Sequence, residues 1–135
     1  AEAGRWMERA GVDAFACSHT CLPVFQALRQ RWVLNNGAAG MPNFHGDASG
    51  LLTRLATAPF RGAQRRFGTH LAAGVHAEAI AIDFDAAEWQ RRFEARWPAG
   101  SDAHLSYYQR ILRGPDYPAS AALRPAGATH AASAA

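Results

Sequence analysis

His19 is the residue of this chain best suited to chemistry. It sits within Cys17-Ser18-His19-Thr20-Cys21-Leu22-Pro23-Val24, and a short segment later comes Asn35-Asn36-Gly37-Ala38-Ala39-Gly40. The apolar run Val12 to Cys17 ends in this histidine, flanked by small polar residues. That order suits a strand carrying a metal ligand at its carboxyl end. A hairpin would then return to a tight turn beside it. Imidazole is the commonest metal ligand among side chains, but one histidine cannot hold a catalytic metal, which takes about three protein ligands.

Each of these residues also has a plainer explanation. Most histidines ligate nothing, and His19 can be a hydrogen-bonded residue of a turn. Asn-Gly is a common turn former. His45 and Asp47 stand in the next loop with only sequence proximity to recommend them, and suit a surface loop better. His76 and Glu78 would share a strand face as ligands, at a spacing that is not specific, while His70, His104 and His130 read as surface or tail residues. The stripe Trp89, Phe93, Trp97 suits a buried helix face better than a stacking platform, and Tyr107-Tyr108 also reads as packing. The sequence holds no nucleophile elbow, no phosphate-cradling Gly-rich loop and no paired Cys motif of a zinc ribbon.

The stretch from about residue 12 to 44 resembles the last metal-binding motif of calcineurin-like metallophosphoesterases. In that family a strand ends in Gly-His-x-His, often with Thr between the histidines and Pro two residues after the second. A hairpin then leads to Asn-Pro-Gly-Ser. The corresponding residues are Ser18-His19-Thr20-Cys21, then Pro23, then Asn35-Asn36-Gly37-Ala38. The hairpin length is similar to that of the family's small bacterial members.

The resemblance implies an α/β fold, a β-sandwich flanked by helices, with a dinuclear centre of Mn, Fe or Zn. In such centres two ions about 3.5–4 Å apart clamp the phosphate oxygens and generate the attacking hydroxide. His19 takes the place of the first ligating histidine. Cys21 takes the place of the second, either as a softer thiolate ligand that shifts metal preference or as a bystander. Asn35, Asn36 and Gly37 are expected to shape the turn that supports the His19 loop, without touching the metal.

The family's other ligands come from an Asp-x-His, a Gly-Asp, a Gly-Asn-His and a further His. None can be assigned, and Gly46-Asp47 follows the terminal motif rather than preceding it. The expectation is therefore the carboxy-terminal part of a phosphoesterase over residues 1–117, its amino-terminal half absent and the isolated chain inactive. A disordered tail is expected over 118–135. The substrate class is a phosphate-ester small molecule or nucleotide. The alternatives are a degenerate binding or regulatory module without catalysis, and an unrelated small α/β domain in which His19 merely packs.

Elements must position these residues. Ala3, Trp6, Met7 and Ala10 at helical spacing, with Gly11 as a stop, predict a helix over 2–10. Val12 to Cys17 reads as a buried strand, and helix, turn, strand is α/β punctuation. Val24 to Leu28 and Arg31 to Leu34 read as strands around Arg29-Gln30. The stretch 35–43 is loop, rich in residues that tolerate positive φ. A strand is expected over 50–58, an exposed loop over 60–68, and a strand over 75–84, for which a helix competes. Asp85 with Glu88 forms a capping box before a helix that Pro98 ends. Ser101 caps a second helix with Leu105, Tyr108, Ile111 and Leu112 on one face, ended by Gly114-Pro115.

The apolar fraction of 49% supports a packed core, and no apolar run approaches the roughly 18 residues of a membrane span. The formal charge is +3 and every basic residue is Arg. These are scattered rather than gathered in the stripe a nucleic acid would need. Two cysteines in a strand end entering a turn do not suit a disulfide, so a reducing cytoplasm fits best.

Overall fold

The computed structural model of the chain describes residues 2–126. Helix α1 spans Glu2–Ala10 and buries Met7 while leaving Trp6 exposed. Its end is a Schellman turn: Val12 N–H donates to Met7 O (3.1 Å) and Gly11 N–H to Glu8 O (3.2 Å).

Four strands form a mixed sheet in the order β1-β3-β2-β7: β1 Ala14–Cys17, β2 Val24–Leu28, β3 Arg31–Asn35 and β7 Leu123–Arg124. β2 and β3 make the expected antiparallel hairpin, while β1 runs parallel to β3 and β7 parallel to β2. A second, antiparallel sheet has the order β4-β6-β5, built from β4 Gly50–Ala56, β5 Arg65–His70 and β6 His76–Ile82.

The two sheets share one core. Phe25 and Leu34 of the first meet Leu51, Ala77, Ala79 and Ala81 of the second, with Phe44 and Ala122 beside them. Register explains the selection: Leu51 lies opposite Ala81, and period-two alternation sends these residues to one face. The Phe25 ring meets Phe67 edge-on at 5.0 Å, a favoured aromatic geometry.

Two helices follow, α2 Ala86–Arg96 and α3 Asp102–Arg113. Both start as expected, with Asp85 accepting from Glu88 N–H and Ser101 accepting from His104 N–H. The chain is thus mixed α/β, with three α-helices and two sheets among the described residues.

Several expectations need correction. β1 is an edge strand, and Ala16 and Cys17 are exposed rather than buried. The strand expected over 50–58 stops at Ala56. The loop expected over 60–68 gives way at Arg65 to β5, in which Phe67 faces the core and a bulge between Arg65 and Phe67 breaks the alternation that would have revealed it. The strand expected over 75–84, by contrast, is borne out as β6, His76–Ile82.

On α2 only Phe93 is buried, with Trp89 39% and Trp97 43% exposed. On α3 only Ile111 is buried, and Leu105 is 70% exposed. The tail expected from 118 instead adds a 3₁₀ turn (Ala119–Ala121), the core residue Ala122 and strand β7. Residues 127–135 of that expected tail, with His130, lie outside the described residues. No helix among the described residues is long and apolar enough to cross a membrane.

Candidate functional site

Because β1 and β3 are parallel, with Cys17 opposite Asn35, the chain leaves both strands at the same end of the sheet. The loop after β1 carries His19 and Cys21. The loop after β3 is the Asn-Asn-Gly turn. Asn36 N–H donates to Cys17 O (3.3 Å), the Asn35 amide donates to Cys17 Sγ (3.5 Å), and Ser18 Oγ reaches Gly37 O (3.5 Å). The turn therefore lies against the base of the His19 loop.

The turn is built from amides. Asn35 Oδ1 accepts from Gly37 N–H (2.8 Å), and Asn36 Nδ2 donates to Leu51 O (3.0 Å). Asn43, 1% exposed, accepts from Ala38 N–H (2.7 Å) and donates to Ala38 O (2.6 Å) and Met41 O (3.0 Å). Buried amides satisfied in this way hold one backbone path. Gly37 has φ +72°, and a Cβ there would lie 2.3 Å from Asn43 Oδ1 and 2.9 Å from the Pro23 ring. Only glycine fits both the conformation and the space.

The His19 loop is held differently. His19 (φ 80°) and Cys21 (φ 57°) are both left-handed, at a cost of about 1–2 kcal/mol each for a residue with a Cβ. Within the loop, Thr20 Oγ1 donates to Leu22 O (3.0 Å). The firmer contacts come from far along the chain. The Arg110 guanidinium of α3 donates to Cys21 O and to Pro42 O (3.3 Å), and the Tyr117 hydroxyl donates toward Pro23 O (2.9 Å). A bond from a charged donor contributes about 1.5–3 kcal/mol, comparable to the backbone cost. The His19 side chain is exposed and Cys21 half-buried, so the imidazole is not turned into the apolar interior.

As donors for a metal, His19 and Cys21 are a nitrogen and a sulfur of the kinds that Zn and Fe take. Among the described residues, no group of three His, Cys, Asp or Glu side chains converges to hold an ion. Two donors are fewer than a resident ion requires, so these residues by themselves do not make the dinuclear centre that the resemblance implies.

The remaining candidates have other work. Asp47 accepts from Ser49 N–H (2.9 Å), Ser49 Oγ (2.6 Å) and Arg66 Nε (3.2 Å), which tie down its own turn. Burial raises its pKa, but the Ser49 hydrogen bonds and Arg66 outweigh that and hold it below the ordinary aspartate value. His45 is exposed.

Glu78 is fully buried on the second sheet, taking Arg54 Nη1 (2.7 Å), Arg65 Nε (3.0 Å) and Phe60 N–H (3.0 Å). Burial pushes this carboxyl up, while the Phe60 N–H and the two guanidinium groups pull it down further. The balance lies below the ordinary glutamate value. A carboxylate committed to three partners is a structural anchor. His76 faces His70 across the β5–β6 pair, ring centroids 4.5 Å apart. His104 stacks on Tyr108 at 4.4 Å, whereas Tyr107 is exposed, not packed.

Sequence reasoning missed Asn43, Arg110 and Tyr117. Asn43 stood in a loop marked only as irregular, and no local signal points to the other two. Comparison with family models, with curated proteins and with solved structures finds no match for this chain.

Proposed function

We propose that this chain is the carboxy-terminal portion of a metal-dependent phosphoesterase of the calcineurin-like kind, with a β-sandwich architecture. On this reading His19 ligates one ion of a dinuclear Mn, Fe or Zn centre, and Cys21 occupies the position of a ligand to the other. The remaining ligands come from outside the described residues. The substrate is a phosphate-ester small molecule or a nucleotide.

One observation carries the reading. The parallel pairing of β1 with β3 lays the Asn35–Gly37 turn against the base of an exposed histidine loop, the juxtaposition that the Ser18–Cys21 and Asn35–Ala38 motifs require. Ser18 does not adopt positive φ, so serine is accommodated where the family has glycine. The half-buried Cys21 thiol is the feature that separates this site from a two-histidine one.

The test uses the longest reading frame containing these residues, loaded with Mn, acting on bis-p-nitrophenyl phosphate. His19→Ala is expected to lower turnover by about 100-fold or more, at least the loss typical of an outer-shell partner, while Cys21→His retains or raises it. Full activity in the His19→Ala protein would remove His19 from the metal. An inactive Cys21→His protein would remove Cys21.

A further inference from the structure

We infer that Arg110 is a positioning residue of this site, holding the carbonyl of Cys21 so that the loop keeps the left-handed conformation that presents His19 and Cys21. Two residues with side chains in left-handed backbone within one short loop persist only where the surroundings over-determine them. Inside the loop there is little to do so, since the Ser18 to Gly37 contact is long at 3.5 Å and the Thr20 bond is local. Arg110 supplies the missing constraint by donating to Cys21 O and, from the same nitrogen, to Pro42 O (3.3 Å). It thereby fastens the His19 loop to the far end of the Asn35–Asn43 loop.

The helix that carries Arg110 is itself anchored there. Gly46 N–H donates to Arg113 O (2.8 Å) and His45 N–H to Tyr117 O (3.1 Å), so the guanidinium is aimed inward. Its chemistry is unusual for a structural arginine. Among the described residues Arg110 forms no ion pair, and its Nε is buried without a partner. A partly buried guanidinium with only neutral carbonyl partners is costly. An aliphatic side chain would fill the space without that cost, so the residue is accounted for by what it holds.

The consequence for a metal rests on the reading of His19 and Cys21 as ligands; the consequence for the backbone does not. The test therefore reads both on the 135-residue chain, as wild type, Arg110→Met and Arg110→Lys. NMR of the labelled chain reports positive φ through the intraresidue amide-to-Hα cross-peak. Arg29 (φ 62°) and Ala73 (φ 56°) lie outside this loop and serve as internal references.

Arg110→Met is expected to lose the left-handed signature at Cys21 and keep it at both references, with Arg110→Lys intermediate. An unchanged signature at Cys21 in Arg110→Met overturns the inference. If the references are lost as well, the Met protein has lost its fold and the Lys protein decides by the same criterion. Co²⁺ titration then reads the sulfur-to-metal charge-transfer band. Loss of the band in Arg110→Met with its presence in wild type extends the role to the metal. A wild-type chain without the band is what two donors alone would give, and the positioning role then stands or falls on the NMR result.

Discussion

The two loops that leave the first sheet side by side are built on opposite principles. The loop after β3 is sealed: Asn35 and Asn43 are buried with their amides bonded, and glycine stands where positive φ and crowding demand it. The loop after β1 is open, with His19 exposed and two non-glycine residues held left-handed by contacts from α3 and the segment after it. The first loop's sequence matches its conformation, whereas the second keeps side chains where glycine would cost less. Non-glycine residues held in left-handed backbone set the β1 loop apart from the β3 loop, where glycine takes that conformation.

The sharpest way to break this contrast is to put a methyl group where the sealed loop has none. Gly37→Ala adds a Cβ 2.3 Å from Asn43 Oδ1 at φ +72°, and is expected to cost about 3 kcal/mol from left-handed strain plus overpacking. Thermal unfolding should show a midpoint lower by about 10 °C. A midpoint within experimental error of wild type would mean that the loop is not sealed.

Acid should weaken the molecule chiefly through its second sheet, because neither the His19 loop nor the Asn35–Asn43 turn bonds a carboxylate. The sensitive group is Glu78, whose folded pKa lies below the ordinary value. Its contribution is present above the unfolded glutamate pKa and is lost as pH falls through the folded one. Denaturant midpoints should therefore hold down to about pH 5 and decline below about 4.5. Glu78→Gln should flatten that decline and cost about 1–2 kcal/mol near neutrality, by replacing charge-assisted bonds to the partly exposed Arg54 and Arg65 with neutral ones. A wild-type acid profile in Glu78→Gln would point to another carboxylate.

The smallest effect runs the other way. Cys21→Gly relieves a left-handed Cβ and should leave stability equal or higher by up to about 1 kcal/mol, as chemical denaturation would show. A loss of several kcal/mol would mean that the Cys21 side chain packs rather than serves.

How much of this was legible in the sequence follows from the range of each interaction. Helix α1, the β2–β3 hairpin and the caps at Asp85 and Ser101 were readable because their signals lie within a few residues. The turn at 35–37 was readable for the same reason. Strand β5 was hidden because Arg65, Arg66 and Gly68 resemble a solvated loop; yet Arg65 bonds the buried Glu78 and only Phe67 faces the core.

Strand β7 was hidden because it is two residues long and meets the core through the partly buried Leu123, next to the buried Ala122. The Trp89, Phe93, Trp97 stripe has the period of a buried face, but only Phe93 finds a neighbouring layer. In the candidate site, His19, Cys21 and the Asn-Asn-Gly turn announce themselves by type and spacing. Arg110 and Tyr117 do not, since their partners lie 89 and 94 residues away.

That separation sets an order of assembly. Synthesis runs from the amino end, so the strands carrying both loops leave the ribosome long before α3 does. Until Arg110 arrives, the carbonyl of Cys21 has nothing to face but water, and the loop is free to relax toward right-handed backbone. A nascent chain halted ahead of residue 110 would thus display a finished hairpin beside an unfinished His19 loop.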